Sequence, residues 1–395
     1  MTTLLLRILV FILVLGILRY LWVRFRRIIP KKLHWPTGFL FIALLFVTFL
    51  YRLLPTDAPA WIGALGFAIG GFWMVFLSNW LVACLSLDLV FVIRWFRQRV
   101  FGFGIRTYEI RKHLSYSRSH WIPLVLGLTV IVTMTMFAVG WPAQLRFRVN
   151  YEQVHLTRQT TQKVRAAILT DVHFDPLFQM EKWDAMLDSL KRIQPDVILI
   201  PGDLTDLSIA DMERGGYGDA LAKLHAPLGV FMISGNHEAY MLRRDPDLFR
   251  YFSSKGIEWL DESSICVPGL CITGRTDPNM GKALGISRKP LQEIQPDSQV
   301  LERQAWLVLD HQPFGLTLGD LGPQEAKPDL GISGHTHAGQ FFPWTYVIRF
   351  VWPLSRGRGE LAGVPWITSS GFGQWGPALR IGSSTELLIV DFIGK

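Results

Sequence analysis

The sequence predicts a membrane protein in two parts, with about four transmembrane helices at the N-terminus and an α/β domain after them. Half of the residues are hydrophobic and the mean hydropathy is +0.26, which is high for a soluble chain of 395 residues. Long apolar stretches lie before residue 142, whereas short apolar runs alternate with amphipathic stretches from residue 145 onward. We therefore predict a transmembrane region at 1–141, a linker with a first strand at 142–163, and the α/β domain at 164–395.

Four apolar stretches are close to the roughly 20 residues that cross a bilayer core. They lie at about 4–23, 38–54, 61–87 and 121–141. The third continues as an apolar stretch to residue 93, but the 33 residues from 61 to 93 cannot supply two spans and a turn, so we expect one long helix there. A cleaved signal peptide is rejected for the first stretch, because a basic segment follows it without a small-residue cleavage site.

The basic charge of the chain belongs to the membrane region. Before Trp141 there are 15 Lys and Arg against 3 acidic residues, whereas the rest of the chain has 25 against 29. A nucleic-acid-binding protein would carry the basic excess on its folded domain, so that class is excluded. The first and third loops hold five and seven basic residues and the second only Arg52, which predicts a multi-pass protein of the cell (inner) membrane with an extracytoplasmic C-terminal domain.

Two cysteines flank a predicted hairpin turn at Pro268-Gly269. In such a hairpin Cys266 and Cys271 stand directly opposite each other in a non-hydrogen-bonded pair, at about the separation that a disulfide needs. A disulfide would indicate an oxidising compartment, in agreement with an extracytoplasmic domain. Two ordinary free thiols remain the alternative.

Polar clusters end five predicted strands of the C-terminal domain. The strands are predicted at 164–169, 196–200, 229–233, 305–309 and 330–333, and helices at 180–193 and 210–224. The clusters are Asp171-Val-His173, Gly202-Asp203-Leu-Thr-Asp206, Gly235-Asn236-His237-Glu238, Asp310-His311 and Gly334-His335-Thr-His337. Ligand sites of open α/β sheets form at the carboxyl ends of the strands, so these clusters are expected to meet.

The last cluster contains two histidines in a segment predicted to be extended, so that His335 and His337 would point to the same side and serve different metal ions. Taken singly, each cluster has a structural explanation, such as a helix cap at Asp171 or a solvated His311. Taken together, they supply carboxylate, amide and imidazole ligands without a thiolate, which suits Mn, Fe or Zn. The sequence therefore predicts a site for two divalent metal ions.

The motifs Asp-x-His, Gly-Asp-x-x-Asp, Gly-Asn-His-Glu, His and Gly-His-x-His resemble, in this order, those of the calcineurin-like metallophosphoesterases. The resemblance extends from about Val164 to the C-terminus. The run from Gly334 to Gln340, followed by Pro343, and the later Ser369 to Gly373 are similar to the bacterial branch tethered to the membrane, which includes enzymes acting on lipid-linked or nucleotide-linked phosphoesters. The family fold implied here is two packed mixed β-sheets flanked by helices.

The resemblance also implies a role for each residue of the motifs. One metal ion would take Asp171, His173, Asp203 and His337, and the second would take Asp203, Asn236, His311 and His335. A bridging Asp203 holds two cations together, and the pair lowers the pKa of a water so that hydroxide forms near neutral pH. His237 is expected to donate a proton to the leaving oxygen, and Asp206 to orient His237.

Three features bear on the substrate. Leu207 stands where the protein-phosphatase branch has an arginine, which disfavours a protein phosphatase. Arg275 is a candidate contact for a substrate phosphate, with a structural arginine as the equal alternative. The aromatic segment 341–352 is expected either to dip into the outer leaflet or to pack in the core.

These features predict a membrane-bound phosphoesterase that uses a dinuclear-metal-activated hydroxide, with a lipid- or nucleotide-linked phosphodiester as the favoured substrate. The alternatives are a phosphomonoesterase, or a membrane sensor or scaffold whose domain only binds a phosphorylated ligand. The partners predicted are the lipid bilayer and a phosphoester, which could itself be lipid-linked, and no nucleic acid. Manganese heads the candidate metals, and the sequence leaves the substrate, the native metal and the oligomeric state open.

Overall fold

The computed structural model describes residues 2–47, 58–100, 107–156, 160, 162–314 and 327–394. The chain divides into two compact units. Residues 1–54 and 61–138 form the first, and residues 55–60 and 139–395 form the second. The described part of the first unit is helical, and the described strands all belong to the second.

The described part of the N-terminal region contains four α-helices: α1 (Thr2–Phe25), α2 (His34–Phe46), α3 (Ala60–Val100) and α4 (Thr107–Gln144). Three described segments are long and apolar enough to cross a membrane, namely Ile8–Ile28, Ala60–Arg97 and Trp121–Gln144. They correspond to three of the four predicted spans. The remaining predicted span, at 38–54, begins inside α2, and its residues 48–54 lie outside the described residues.

Helix α3 is a single helix of 41 residues, as expected from the argument against two spans. At about 1.5 Å per residue it is roughly 60 Å long, about twice the hydrocarbon thickness of a bilayer. Its Asp88 accepts hydrogen bonds from Arg24 Nη2 at 2.5 Å and from the Tyr20 hydroxyl at 2.8 Å. This contact joins the end of α1 to the C-terminal part of α3.

Two six-stranded mixed sheets form the frame of the second unit. The first has the order β1-β12-β2-β3-β4-β5 and the second the order β10-β11-β9-β8-β7-β6. The strands are β1 (Phe147–His155), β2 (Val164–Ile168), β3 (Val197–Ile200), β4 (Val230–Met232), β5 (Glu258–Trp259), β6 (Ser263–Val267), β7 (Leu270–Arg275), β8 (Ala305–Asp310), β9 (Leu330–Ser333), β10 (Gly357–Leu361), β11 (Val364–Thr368) and β12 (Thr385–Ile393). In the first sheet, β2, β3, β4 and β5 are parallel neighbours in that order. In the second sheet, β7, β8, β9 and β11 are parallel neighbours in that order.

One apolar core joins the two sheets. Ile168 and Leu199 of the first sheet belong to the same buried cluster as Ile272, Leu307 and Ile332 of the second. Strands that are buried on both faces read as continuous apolar runs, which is why Val197–Ile200 has no polar residue. The packed pair of mixed sheets is the arrangement that the family resemblance implied.

The flanking helices are α5 (Met180–Ile193), α6 (Ile209–Arg214), α7 (Tyr217–Leu221), α8 (Asn236–Met241), α9 (Leu248–Ser254), α10 (Pro278–Leu284), α11 (Leu291–Ile294), α12 (Ser298–Leu301) and α13 (Trp344–Val351). Helix α5 has the predicted bounds and buries an apolar face. The single helix predicted at 210–224 is wrong. The chain forms α6 and α7 instead, because Gly216 adopts a left-handed conformation with φ +72° and ends the first helix.

The hairpin of β6 and β7 pairs Cys266 with Cys271 directly across the two strands. Their Cα atoms are 4.0 Å apart and their sulfur atoms form a disulfide. Cys84 in α3 is a buried free thiol.

Candidate metal centre

The loops that follow β2 and β3 stay paired beyond the strands. The amide of Asp171 donates to the carbonyl oxygen of Gly202, and the amide of His173 donates to that of Asp203, both at 3.1 Å. The amide of Asp206 returns a bond of 2.9 Å to Phe174. These bonds carry two polar clusters to the same edge of the first sheet, where the clusters that follow β4, β8 and β9 also arrive.

One group of ligand atoms is formed by Asp171, His173 and His337. The Nε2 atoms of the two histidines are 3.0 Å apart, and His337 Nε2 is 3.6 Å from Asp171 Oδ1. Asp203 Oδ2 lies 3.7 Å from His173 Nε2. The four residues assigned to the first metal ion therefore converge.

A second group is formed by Asp203, His311 and His335. His311 Nε2 is 3.1 Å from Asp203 Oδ2 and 3.2 Å from Asn236 Oδ1. It is also 3.2 Å from His335 Nδ1. Asp203 Oδ2 thus adjoins both groups, as a bridging ligand must.

The donor set fits divalent metal ions. Two atoms that bind one transition-metal ion at about 2.1 Å and at right angles are about 3.0 Å apart, and the contacts above span 3.0–3.7 Å. His311 Nδ1 lies 2.8 Å from the carbonyl oxygen of Pro201, a bond in which only the nitrogen can donate, so the Nε2 lone pair is free for a metal. The ligand atoms are carboxylate, amide and imidazole, which suits Mn, Fe or Zn alike.

Five of the seven candidate ligands have left-handed backbone conformations, with φ between +46° and +70°. They are Asp171, His173, Asp203, His335 and His337. Non-glycine residues adopt this region rarely, at a cost of about 1 kcal/mol each. The paired loops hold the first three there, and hydrogen bonds with Asp171 and Arg380 hold His335 and His337. The extended conformation predicted for 335–337 is therefore wrong: Thr336 is helical, a 3-10 turn begins at His337, and tight turns rather than strand alternation direct the two histidines.

Two glycines are required by close contact with the ligands. A Cβ on Gly235 would lie 2.1 Å from Asp203 Oδ1, and a Cβ on Gly334 would lie 2.1 Å from Asp171 Oδ2. The glycines let the backbone of one cluster touch the carboxylate of another. Both carboxylates are further fixed by main-chain amides, Asp171 by that of His335 at 2.8 Å and Asp203 by that of His237 at 2.9 Å.

Without a metal ion, the candidate ligands differ in the direction of their pKa shifts. Burial raises the pKa of Asp203, but the surrounding histidines, His311 foremost, hold that pKa well below its usual range. Burial together with His311 lowers the pKa of His335 to about 3, so His335 is neutral and able to bind a metal. Burial also lowers the pKa of His173, but Asp206 and the neighbouring carboxylates raise it to about 9, so metal binding there displaces a proton.

Asp206 contacts two histidines at once. Its Oδ1 accepts a hydrogen bond from His237 Nδ1, and its Oδ2 is 3.4 Å from His173 Nδ1. The Nε2 atom of His237 consequently faces the cluster and lies 4.0 Å from Asp203 Oδ2. A third group of possible ligand atoms is formed by His173, Asp203 and His237, so His237 adjoins the two groups above through residues that it shares with them.

Two buried side chains for which no role was predicted, Glu238 and Arg380, hold the candidate ligands in position. Glu238 accepts from four main-chain amides, among them those of Asp203 and Gly235. Arg380 donates to the carbonyl oxygens of His337 and Gly373 at 3.0 and 2.7 Å. Glu238 is the last residue of the Gly-Asn-His-Glu motif, so the motif could have indicated it. No sequence pattern indicates Arg380.

Arg275 and Leu207, which the sequence analysis considered for the substrate, are both buried. Arg275 is 1% exposed and donates to the carbonyl oxygen of Lys289, and its contact with a substrate phosphate stays a prediction. Leu207 is buried as well. The aromatic segment is divided, because Phe341 is packed inside while Phe350 is 91% exposed.

The fold and the shared carboxylate define a metallophosphoesterase domain with a dinuclear type of site. The profile of the family described as calcineurin-like phosphoesterase matches residues 164–339. Residues 164–339 are therefore similar to the calcineurin-like phosphoesterases.

Similar proteins include both bacterial and animal chains. An uncharacterized metallophosphoesterase of Campylobacter jejuni is 30% identical over 237 residues, which cover 59% of this chain and 60% of that relative. One from Aquifex aeolicus is 29% identical over 230 residues, 57% of this chain and 84% of the relative. A transmembrane protein with metallophosphoesterase domain from Danio rerio is 26% identical over 385 residues, 91% of this chain and 80% of the relative.

Proposed function

We propose that this protein is a metal-dependent phosphoesterase of the membrane-tethered branch of the superfamily, which hydrolyses a P–O bond of a phosphodiester. The observation that carries the proposal is the position of Asp203 Oδ2, which is 3.7 Å from His173 Nε2 of one ligand group and 3.1 Å from His311 Nε2 of the other. A carboxylate shared in this way is suited to hold two cations side by side.

The residues would hold two divalent ions, with Asp171, His173, Asp203 and His337 around one and Asp203, Asn236, His311 and His335 around the other. Bound there, the ions supply a nucleophile from water near neutral pH and stabilise the charge on the phosphoryl oxygens. His237 presents Nε2 to the reacting edge and donates the proton that the leaving oxygen needs. Asp206 fixes the tautomer of His237 by accepting from Nδ1.

The decisive experiment is an assay of the purified full chain with Mn²⁺ on paired chromogenic phosphomonoester and phosphodiester substrates. We expect the diester to be hydrolysed faster, and Asp203→Ala and His335→Ala each to abolish turnover while the melting transition is retained. His225→Ala serves as the matched control, because His225 is exposed and lies outside both ligand groups. Undiminished hydrolysis by either ligand variant would contradict the mechanism.

The same assay separates the two alternative functions. Faster turnover of the monoester would establish a phosphomonoesterase. Tight binding of a phosphorylated ligand without turnover of any ester would establish a sensor or scaffold.

We further propose that the domain lies outside the cytoplasm of the cell membrane. The charges of the loops support this orientation, and so does the cross-strand pair of Cys266 and Cys271. The measurement is mass spectrometry of the protein from native membranes, alkylated before and after reduction. We expect both cysteines to be alkylated only after reduction, and free thiols in the native protein would contradict the orientation argument.

A further inference from the structure

Helix α13 exposes an apolar surface that the described residues of the domain leave uncovered. We define the aromatic ridge as the exposed side chains Phe342, Trp344, Tyr346, Val347, Phe350 and Val351. Phe350 is 91% exposed and Tyr346 59%, whereas Thr345 on the other face of the helix is buried. Contiguous apolar side chains of this kind mark a surface that meets another apolar phase.

The ridge lies close to the end of the last apolar helix. A Cβ on Gly140, in the last turns of α4, would lie 2.9 Å from Leu379 and 3.1 Å from Ile381. The amide of Ile381 donates to the carbonyl oxygen of Gln340, just before α13, and a Cβ on Gly382 would lie 3.3 Å from Thr345. One short segment, 379–382, thus packs against the end of α4 on one side and against α13 on the other.

The charges around the ridge fit an anionic surface. The segment from Phe341 to Arg358 contains three arginines, Arg349, Arg356 and Arg358, and no acidic residue. All three arginines are exposed, but Arg358 lies 3.6 Å from the carboxylate of Glu152, which leaves Arg349 and Arg356 as the basic residues beside the ridge. Arg349 lies over the ring of Tyr346, with its Cζ 5.5 Å from the ring centre. An exposed aromatic helix face with Arg349 on the helix and Arg356 shortly after it is suited to the headgroup region of anionic bilayers.

The same helix also leads to the metal centre. Trp352, which follows α13, packs its ring against that of His335 with 4.8 Å between the ring centres. The ring of Phe314 stacks on the ring of Trp352, with 4.2 Å between the ring centres, and Phe314 is half exposed. Among the seven candidate ligands, His335 is the one that is more than slightly exposed. The aromatic surface therefore reaches the edge at which a substrate meets the cluster.

We propose that the aromatic ridge inserts into the headgroup region of the leaflet on the domain side, and that the substrate is a phosphoester carried by a lipid of that leaflet. The proposal of a lipid substrate rests on the proposed phosphoesterase function, whereas insertion of the ridge does not. The ridge holds the domain at the depth of the lipid phosphates, and the rings of Trp352 and Phe314 line the path from the bilayer to His335.

Insertion is tested without any activity measurement. The full chain is reconstituted in nanodiscs of phosphatidylcholine and phosphatidylglycerol, with a nitroxide spin label at Phe350→Cys or, as the aqueous control, at Lys191→Cys. The Lys191 side chain is 76% exposed on α5, and labelling of the unsubstituted protein corrects for the buried Cys84. We expect a higher ratio of oxygen to nickel-chelate accessibility at position 350 than at position 191. Equal ratios at the two positions would overturn the proposal.

The lipid substrate is tested by a ratio of two rates. Phosphatidylglycerol and phosphatidic acid in the nanodisc serve as lipid diester and monoester, and a chromogenic ester serves as the soluble substrate. We expect the double variant Tyr346→Asp, Phe350→Asp to lower the ratio of lipid to soluble turnover roughly tenfold, which corresponds to about 1.4 kcal/mol. Ile286→Asp, an exposed apolar residue on another surface, is the control.

The outcomes distinguish this inference from the proposed function. A parallel loss of both rates in the double variant would overturn the lipid substrate while leaving the phosphoesterase intact. Failure of the wild type to hydrolyse any ester would instead refute the proposed function, and the spin-label ratios would still decide whether the ridge enters the bilayer.

Discussion

The carboxylate of Glu238 accepts a hydrogen bond of 2.9 Å from the backbone amide of Asp203, the residue that adjoins both ligand groups. Glu238 is fully buried in α8 and also accepts from the amides of Leu204 and Gly235, at 2.7 and 2.8 Å. One side chain thereby joins the loop after β3 to the loop after β4. The position of the carboxylate that the two groups share depends on a residue that belongs to neither group.

Glu238→Gln is expected to destabilise the domain and to loosen the metal centre. The amide group of glutamine keeps the volume but replaces one acceptor oxygen with a donor that faces main-chain N–H groups, at a cost of roughly 2–3 kcal/mol. Thermal melting in detergent should show a midpoint lower by roughly 5–10 °C, and elemental analysis should show less bound metal. Glu302→Gln, at an exposed glutamate, is the matched control, and equal melting of the two variants would refute the role of Glu238.

His237→Gln is expected to affect substrates according to their leaving groups. A proton donor matters most for a basic alkoxide, so hydrolysis of alkyl esters should fall by roughly 10²–10³-fold. A p-nitrophenolate leaves without protonation, so the loss for nitrophenyl esters should be far smaller. The measurement is kcat across a series of leaving groups of graded pKa. A uniform loss across the series would show that His237 acts by another route, such as metal binding.

Removal of divalent metal is expected to lower the thermal stability of the domain. The cluster brings the buried carboxylates of Asp171 and Asp203 together, and a bound cation offsets their repulsion. At a free metal concentration of 100 times the dissociation constant the gain is about 2.7 kcal/mol. Melting curves with chelator and with added Mn²⁺ measure it, with Asp203→Ala as the variant whose midpoint should respond little. Identical midpoints of the wild type in both conditions would argue against the metal site.

Arg380→Lys is expected to weaken the metal group around His337. The guanidinium of Arg380 donates to the carbonyl oxygens of His337 and Gly373 from two nitrogens, whereas an ammonium group cannot reproduce that fork. We expect a loss of about 2 kcal/mol in stability and a lower metal content, measured by melting and elemental analysis. Arg214→Lys, at an exposed arginine paired with Asp211, should change neither.

Most of the candidate metal centre could be predicted from sequence patterns. The seven ligand candidates could be found because each follows an apolar run and belongs to a short motif, and the paired sheets brought all seven together. The prediction of a single helix across Gly215-Gly216 is wrong, because Gly216 adopts a left-handed backbone conformation that interrupts the helical pattern on either side. The extended segment expected at His335 failed for a similar reason, since tertiary contacts hold His335 and His337 at φ +70° and +48°.

The sequence by itself determined the order of the parts, the apolar helices, the strands with their polar ends and the chemistry of the ligands, because periodicity and residue type are local properties. Only the tertiary structure decided which candidate ligand atoms lie close together, since that depends on the left-handed turns at five of these residues and on contacts such as the one between Glu238 and Asp203. It also separated Phe341 from Phe350 in one aromatic run. Burial is set by what packs against a side chain, and a local pattern of aromatic residues cannot tell the packed face of α13 from the exposed one.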